Sequence, residues 1–495
     1  MKHLYLLFLL IPFFNFGQQQ IGQTIDYSGR SISISENGQI VALGNYINEV
    51  NGVSQVGSAR VYKYINGNWT QVGQDLNGMG LNSAFGSVVS LSANGKTLAT
   101  IEKVPNLNTT NTKITVYKEF AGNWNQNGQS IYTSALNFPP TNKPISISAD
   151  GNRLAIGEST DNANINYEGR VRIFENTTGS WIQLGTDIVG KAPADKSGTT
   201  VAMHPTKNIV AFVSNPYYTN TEYVSVYSLN ASGNWVQLGT DFHIPEDPIQ
   251  SQLNGYLGAS ISLASNGNDI ILAIGCPRAS NNSSIKSMGI AQVYKYNTNT
   301  NVWTQIGADI TSPAYLGYFG NAVSLSSNGK RLAVRDNNAI LITGKGNDGF
   351  VQVYENVSGN WNQIATTITS TAADERLETC DMDLSSDGNT IALGLKNLTN
   401  PTSFHVRVYD LTKAASLNEY VSNNFKIFPN PATNILNITL EDDLVLERAD
   451  IYNNLGQIIK TSSTPILDIS DISSGMYFVE VTTNHGKATK KLIIN

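Results

Sequence analysis

The sequence predicts an all-β protein in which a seven-bladed β-propeller with four-stranded blades precedes a small Ig-like β-sandwich. Two repeated phrases support the propeller. One contains all six tryptophans of the chain, as in "GNWTQVGQDL" from Gly67. The other contains a tight turn, as in "SISISENGQIVALG" from Ser31. After about residue 415 both phrases stop, and short apolar runs separated by turn residues predict the sandwich.

The turn phrase occurs seven times, at intervals of 56 to 62 residues. Six copies carry Asn-Gly or Asp-Gly, which favour the positive φ angles of a two-residue hairpin. The seventh, "VAMHPTKNIVAF", places Lys207 and Asn208 at the turn. The strand before the turn alternates Ser with apolar residues, and the strand after it contains an alanine in every copy. A third strand and the tryptophan phrase complete a four-stranded unit, and seven such units predict a propeller.

Six tryptophans serve seven units because the last unit runs into the C-terminal domain before its fourth strand. The stretch "QQIGQTI" from Gln19 matches "TQVGQDL" from Thr70 but has no tryptophan. We therefore predict that the N-terminal strand closes the last blade, since closure removes exposed strand edges. Tryptophan at one repeated strand position is typical of packing between blades, although a ring of sugar-stacking platforms is an alternative.

The segment at residues 1–17 has a short cationic start and an apolar run, which predicts a secretory signal peptide. No later run approaches the ~20 apolar residues of a membrane helix. The domain boundaries that we expect are 18–414 for the propeller, 415–424 for a linker and 425–495 for the C-terminal domain. The net charge of −6 argues against a nucleic-acid partner, because phosphate binding needs a basic surface.

The C-terminal segment contains "FPNPATNIL" from Phe428, "IYNNLGQII" from Ile451, "SSGMYFVEV" from Ser473 and "KATKKLIIN" at its end. These motifs resemble the type A sorting domain of the type IX secretion system of Bacteroidetes. The resemblance implies export through the periplasm, binding to the secretion machinery, and release or attachment at the outer cell surface. The matching positions are Pro429, Asn430, Pro431, Gly456, Gly475, Tyr477, Lys490 and Lys491.

The propeller segment resembles FG-GAP repeats in "YFGNAVSLSSNGKRLAV" from Tyr318 and in Phe85-Gly86, and its turns also resemble those of WD40 blades. FG-GAP repeats often hold Ca²⁺ in an Asp-rich loop, which is only a tight turn here. Asp383, Ser385 and Asp387 have the spacing of a calcium loop, but Gly394 stands where such a loop carries Glu. We therefore expect no metal and no cofactor.

Long loops should share one face of the propeller, and we expect the ligand there. Three residues beyond each second-strand alanine the copies diverge, which suggests a surface available for function. The candidate ligand face consists of Glu102, Glu158, Asp336, Tyr46, Tyr217, Tyr218, Tyr256 and Tyr318.

The expected function is that of a secreted or surface-attached, adhesin-like protein that binds a glycan or a protein. A structural scaffold of the cell surface is the main alternative, and a polysaccharide hydrolase or lyase using two of the carboxylates is the third. The sequence contains no paired-cysteine metal spacing and no nucleophile motif, so we expect no enzymatic activity. A bond between Cys276 and Cys380, which lie in different repeats, is not expected.

Overall fold

The computed structural model describes most of the chain. The described residues are 18–104, 112–133, 142–159, 167–216, 222–243, 260–277, 279, 289–312, 317–337, 349–370, 375–377, 381–400, 403–412, 421, 424–440, 444–454, 456–483 and 486–495. The signal-peptide prediction for 1–17 lies outside them. The chain divides into a unit spanning Gln19–Leu411 and a second unit that contains Thr412–Asn495.

The first unit is all-β in its described part and repeats one antiparallel sheet seven times, with four strands on the main path of each. We number the sheets 1 to 7 along the chain. The first strands are Ser31–Ile34, Val89–Leu91, Ile145–Ile147, Val201–Met203, Ser260–Asn266, Ala322–Leu325 and Met382–Leu384. The second strands are Ile40–Asn45, Thr97–Lys103, Arg153–Glu158, Ile209–Ser214, Asp269–Cys276, Arg331–Asp336 and Thr390–Asn397.

Each third strand carries at least one aromatic residue. They are Ser58–Ile65, Thr112–Phe120, Arg170–Thr177, Tyr223–Leu229, Ile290–Asn297, Phe350–Val357 and Phe404–Asp410. The fourth strands of sheets 1 to 6 are Asn68–Gln71, Asn123–Gln126, Ser180–Gln183, Trp235–Gln237, Val302–Gln305 and Asn360–Gln363. The third strands of sheets 1 to 5 also pair antiparallel with short strands at Leu76–Asn77, Ile131–Thr133, Ile188–Val189, Phe242–His243 and Ile310–Thr311. Glu375–Arg376 pairs with the second strand of sheet 7.

The N-terminal strand Gln19–Gln20 is the fourth strand of sheet 7. Gln19 pairs with Asp410, and Gln20 pairs with Tyr409. Further along, Ile25 forms a bridge with Val406 and is only 3% exposed. The strand pairing that the repeat predicts at this seam is therefore present.

The first strands contact one another in the order of the chain, and that of sheet 7 contacts that of sheet 1, so the contacts form a closed cycle. The backbone N–H groups on the unpaired edge of these strands need partners outside their own sheet. Serine hydroxyls of the preceding sheet accept them, for example Ser33 from Leu91 and Ser262 from Leu325, both at 3.0 Å. The alternating serines of the repeat therefore join neighbouring sheets.

Each tryptophan links its sheet to the preceding one through a hydrogen bond. In all six cases the indole Nε1 donates a hydrogen bond of 2.8–3.0 Å to a backbone carbonyl of the previous fourth-strand segment. Trp69, in sheet 1, donates to Ile21 beside the N-terminal strand. A tryptophan buried with its N–H satisfied gains both packing and a hydrogen bond, so the tryptophans serve packing between sheets.

The repeated alanine allows close approach of adjacent sheets. All seven of these alanines are fully buried. Ala42, for instance, belongs to a core cluster that joins sheet 1 to Phe85, Leu98 and Trp124 of sheet 2. Small side chains at this position leave room for the large residues of the neighbouring sheet.

The Phe-Gly elements are built into the connections between sheets. Phe85 and Phe319 are buried, and each forms a parallel bridge with a glycine, Gly57 or Gly289. Gly86 has φ +77, and a Cβ there would lie 2.4 Å from the Ser58 carbonyl oxygen. This close contact explains why glycine follows the phenylalanine.

The second unit contains two antiparallel sheets in its described residues. One consists of Phe425–Phe428, Ile435–Leu440 and Ile466–Asp468, and the other of Leu446–Tyr452, Ile458–Ser462, Gly475–Thr483 and Gly486–Ile494. Side chains from both sheets form one core, which includes Phe425, Leu436, Ile451, Val479 and Leu492.

Candidate functional site

A cavity of about 600 Å³ lies along the axis of the first unit. Residues of the first strands of all seven sheets line it, so we call it the central channel. Where the first strands begin, the second strands end and the long loops attach. We call this end the loop end, and the other the turn end because the tight turns lie there.

Charged side chains gather at the loop end. We define the mouth as Arg30, Tyr46, Lys143, Arg335 and Asp381, all of which line the cavity. At the turn end, the described lining residues that follow the first strands are uncharged, namely Ala93, Ala149, Pro205, Ser327 and Ser386. The two ends of the channel therefore present different chemistry.

One ion pair joins distant sheets across the channel. Lys143 precedes the first strand of sheet 3, and its Nζ lies 3.0 Å from Oδ2 of Asp381, which precedes the first strand of sheet 7. The Lys143 side chain is 44% exposed, whereas that of Asp381 is 10% exposed. Burial lowers the pKa of the Lys143 ammonium group, but the nearby Asp381 carboxylate outweighs this effect and holds the pKa above its ordinary value.

Two arginines of the mouth are held by neighbouring groups. Arg335 is 4% exposed, and its Nη2 donates to the side-chain oxygens of Asn321 and Asn337. Arg30 donates from Nη1 to the Tyr46 hydroxyl at 2.7 Å, and its guanidinium lies 4.2 Å from the centre of the Phe404 ring. Such contacts restrict the orientation of a guanidinium group.

Asp381 and Asp383 occupy the seam between sheets 7 and 1. Their carboxylates accept the backbone N–H groups of Ile32 and Ile34 at 2.9 and 3.0 Å, where serine serves at other seams. Burial raises the pKa of the Asp383 carboxyl group above its ordinary value, although Lys143 and the hydrogen bonds to the carboxylate act to lower that pKa.

The structure corrects the interpretation of the divergent position. Glu102, Glu158 and Asp336 do not form an exposed ring, because they are 2%, 0% and 0% exposed. Ser214, Cys276 and Leu395 at the same position are also buried. Six of the seven residues at this position are therefore buried.

Each of the three predicted carboxylates has partners inside the protein. Glu102 pairs with Lys113 at 2.9 Å and accepts the backbone N–H of Met79, which belongs to a connecting loop. Glu158 pairs with Arg172 and, at 2.9 Å, with Arg170. Asp336 accepts a hydrogen bond from Ser312 at 3.2 Å. Each of these carboxylates is therefore matched to its own set of neighbours.

Of the predicted aromatic residues, Tyr46 lies at the mouth, whereas Tyr318 occupies a tight turn with φ +61 before Phe319. Tyr217, Tyr218 and Tyr256 lie outside the described residues. The mouth residues that the sequence interpretation missed are Arg30, Lys143, Arg335 and Asp381.

The described residues contain no group of three potential metal ligands close enough to hold an ion. Asp387 caps its own turn by accepting bonds from Ser385 and from the backbone of Asn389. Cys276 is buried and free, and Cys380 lies outside the described part. No helix within the described ranges is long and apolar enough to cross a membrane.

The sorting motifs meet at the last strand of the second unit. Asn430 donates from Nδ2 to the Lys491 carbonyl at 2.8 Å and accepts the N–H of Ile493 at 2.9 Å. The backbone of Ala432 continues this pairing with Ile493 and Asn495. The Pro-Asn-Pro motif thus covers the outer edge of the C-terminal strand, an edge that would otherwise be open to pairing.

The other motif residues have local roles. Gly456 has φ +77 in the turn after Tyr452, and Gly475 begins the strand that carries Tyr477. The Tyr477 hydroxyl donates to the Ser473 carbonyl at 2.9 Å. Lys490 lies with Nζ 2.5 Å from the Phe425 carbonyl oxygen, whereas Lys491 is exposed.

Residues 426–495 match the family described as the secretion system C-terminal sorting domain. The C-terminal segment is a sorting domain. This match covers the segment that carries all eight motif residues, and it supports targeting by type IX secretion to the cell surface or outside the cell. No curated protein sequence is significantly similar to the chain.

Several solved structures are distantly similar. The periplasmic gluconolactonase of Pseudomonas aeruginosa has a TM-score of 0.47 at 14% identity, covering 92% of this chain and 99% of that one. The GH74 enzyme of Niastella koreensis has a TM-score of 0.45 at 10% identity, covering 96% and 67%. Hydrazine synthase of Kuenenia stuttgartiensis has a TM-score of 0.45 at 10% identity, covering 78% and 97%.

Proposed function

We propose that this protein is exported by the type IX secretion system and acts at the cell surface, or outside the cell, as a binding protein. The observation that carries the proposal is a sorting domain joined to a ring of sheets whose channel has charged residues at the loop end and, among the described lining residues, none at the turn end. We infer that the seven sheets are the blades of a closed seven-bladed propeller. We further infer that the second unit is an Ig-like sandwich and that residues 1–17 form a signal peptide.

The ligand face in this proposal is the mouth together with the loops around it. Binding faces are commonly built from loops on a rigid scaffold, and the hydrogen-bonded seams supply that scaffold. A glycan or a surface protein is the expected partner, as in an adhesin. FG-GAP-like repeats are consistent with this role.

We propose a binding protein rather than an enzyme. A glycosidase needs two carboxyl groups facing the sugar from opposite sides. Glu102 and Glu158 are instead buried in ion pairs with cations of their own sheets. A scaffold without a ligand remains the alternative, and the binding experiment below distinguishes the two.

Export is tested by removing residues 425–495 in a bacterium that carries type IX secretion. We expect the truncated protein to accumulate in the periplasm and the full-length protein to reach the surface or the medium. Asn430→Ala should reduce export, because it exposes the edge of the last strand, whereas Asn437→Ala serves as the matched control. Normal export of the truncated protein would contradict the proposal.

Binding is tested with purified protein from Gln18 to the C-terminus on a glycan array printed beside outer-membrane extracts. Saturable binding that Lys143→Gln weakens would support a ligand face at the mouth. Complete absence of saturable binding would favour the scaffold.

A further inference from the structure

The mouth contains three cationic side chains and one carboxylate. Its three cations, Arg30, Lys143 and Arg335, come from sheets 1, 3 and 6, yet all line one cavity. Arg335 also acts electrostatically on the Lys143 ammonium group. Cations from three separate sheets converge here, although the whole protein carries a net charge of −6.

The two carboxylates in the channel already have structural partners. Asp381 accepts the backbone N–H groups of Ile32 and Met382, and Asp383 accepts those of Ile34 and the Ser324 hydroxyl. The bonds from Ile32 and Ile34 cross the seam between sheets 7 and 1, and the Ser324 hydroxyl links Asp383 to sheet 6. Asp381 therefore neutralises only part of the mouth, where Lys143 keeps nearly half of its side chain exposed.

The remaining groups at this end suit a hydroxylated ligand. Asn142, Asn321 and Asn337 line the cavity beside the cations and supply amide groups, and Tyr46 supplies an aromatic ring. The cavity of about 600 Å³ lies within the usual size of a small-ligand site. The described residues that line the cavity at the turn end are uncharged, so we expect the ligand to enter from the loop end.

We propose that the mouth binds an acidic saccharide, with its carboxylate or sulfate group placed between Lys143 and the guanidinium of Arg335. Sugar hydroxyls would bond to the asparagine amides, and the ring would lie against Tyr46. Guanidinium and ammonium groups form strong charge-assisted bonds with such anions. The inference rests on the proposed binding function and specifies its ligand class.

Isothermal titration of the protein from Gln18 to Asn495 tests the ligand class. The probes are oligogalacturonate, a sulfated oligosaccharide, their uncharged parent oligosaccharides, and inorganic sulfate and phosphate. We expect saturable binding of an acidic oligosaccharide, little binding of its neutral parent, and weaker binding at higher salt.

Variants locate the site. Lys143→Gln should weaken binding of the acidic oligosaccharide at least about tenfold, because a charge-assisted bond is lost. Arg335→Lys should weaken it while keeping a buried charge, and circular dichroism checks its fold. Lys118→Gln is the matched control, because Lys118 is exposed on the third strand of sheet 2, away from the channel.

The outcomes separate this inference from the proposed function. Equal binding of neutral and acidic sugars, or binding that Lys143→Gln leaves unchanged, would overturn the acidic-ligand inference and leave a binding protein. Binding of the inorganic anions alone would overturn the saccharide assignment. Binding only to a surface protein would do the same, and absence of all binding would overturn both proposals.

Discussion

Trp69 offers the sharpest test of ring closure, because it joins sheet 1 to the N-terminal strand. Its ring is 4% exposed, and its Nε1 donates to the Ile21 carbonyl at 2.9 Å. The Gln23 side chain both donates to the Trp69 carbonyl and accepts its N–H. Trp69→Ala should reduce the free energy of unfolding by about 3–5 kcal/mol, the usual cost of truncating a buried tryptophan.

Coupling between Trp69 and the N-terminal strand is the decisive quantity. When residues 18–25 are deleted, Trp69 loses its carbonyl acceptor and the Gln23 clamp. The same Trp69→Ala change should then cost about 1–3 kcal/mol less, since contacting groups are not additive. Trp181 of sheet 3 donates instead to the Asn127 carbonyl. Trp181→Ala should therefore reduce the free energy of unfolding by the same amount with or without residues 18–25.

The assay is denaturant unfolding followed by tryptophan fluorescence. All six tryptophans lie within Gln19–Leu411, so the signal reports on the first unit alone. Phe120→Ala, at a residue that is 78% exposed, controls for loss of an aromatic ring and should change stability by less than about 0.5 kcal/mol. Equal costs of Trp69→Ala with and without residues 18–25 would refute closure by this strand.

Three further predictions follow from the same seams. Gly86→Ala should destabilise the protein by about 2 kcal/mol or more, because the added Cβ clashes with the backbone at a residue that already has a positive φ angle. Gly122 also has a positive φ angle, but a Cβ there meets no atom within 4 Å, so Gly122→Ala should cost less. Equal denaturation midpoints for the two variants would contradict this reasoning. Burial lowers the pKa of His204 to about 4, so its neutral form stabilises the fold above pH 6.5, and about 3 kcal/mol should be lost as the pH falls from 6.5 to 4. His204→Gln should flatten that slope in pH-dependent unfolding, and an unchanged slope would contradict the assignment. Glu158→Gln should cost about 3–5 kcal/mol, because Arg172 loses its carboxylate partner and Arg170 loses one of two. A loss below about 1 kcal/mol in thermal unfolding would show that these ion pairs are unimportant.

The spacing of the repeat and its turn residues were enough to predict the repeated strands and the pairing of the N-terminal strand with sheet 7. The Asn-Gly turns, the alanines and the tryptophans each have one physical role that recurs in every sheet, so their spacing reveals the unit. The matching stretch without tryptophan also identified Gln19–Gln20 as the missing strand. These features are local or repeat regularly, which makes them readable from one sequence.

The divergent position was misread for a definite reason. Variation in a repeat suggests exposure, but Glu102 and Glu158 are buried and have different ion-pair partners. A buried side chain must match its own neighbours, and those neighbours lie in segments outside the repeated phrases. The partners at this position therefore differ from copy to copy, and the repeat pattern alone does not contain them.

The mouth could have been found by a different use of the same repeat. Arg335 stands where sheets 1, 3, 5 and 7 carry glycine, and Asp383 stands where five of the other first strands carry serine. Glycine and serine have packing roles at those positions, so an arginine and an aspartate there replace a structural residue with a charge. Such a replacement costs desolvation unless partners are supplied, as Asn321, Asn337 and Ile34 do here. In a ring built from similar units, charges at positions that line the channel are therefore a better pointer to the proposed ligand face than variation at the end of the second strand.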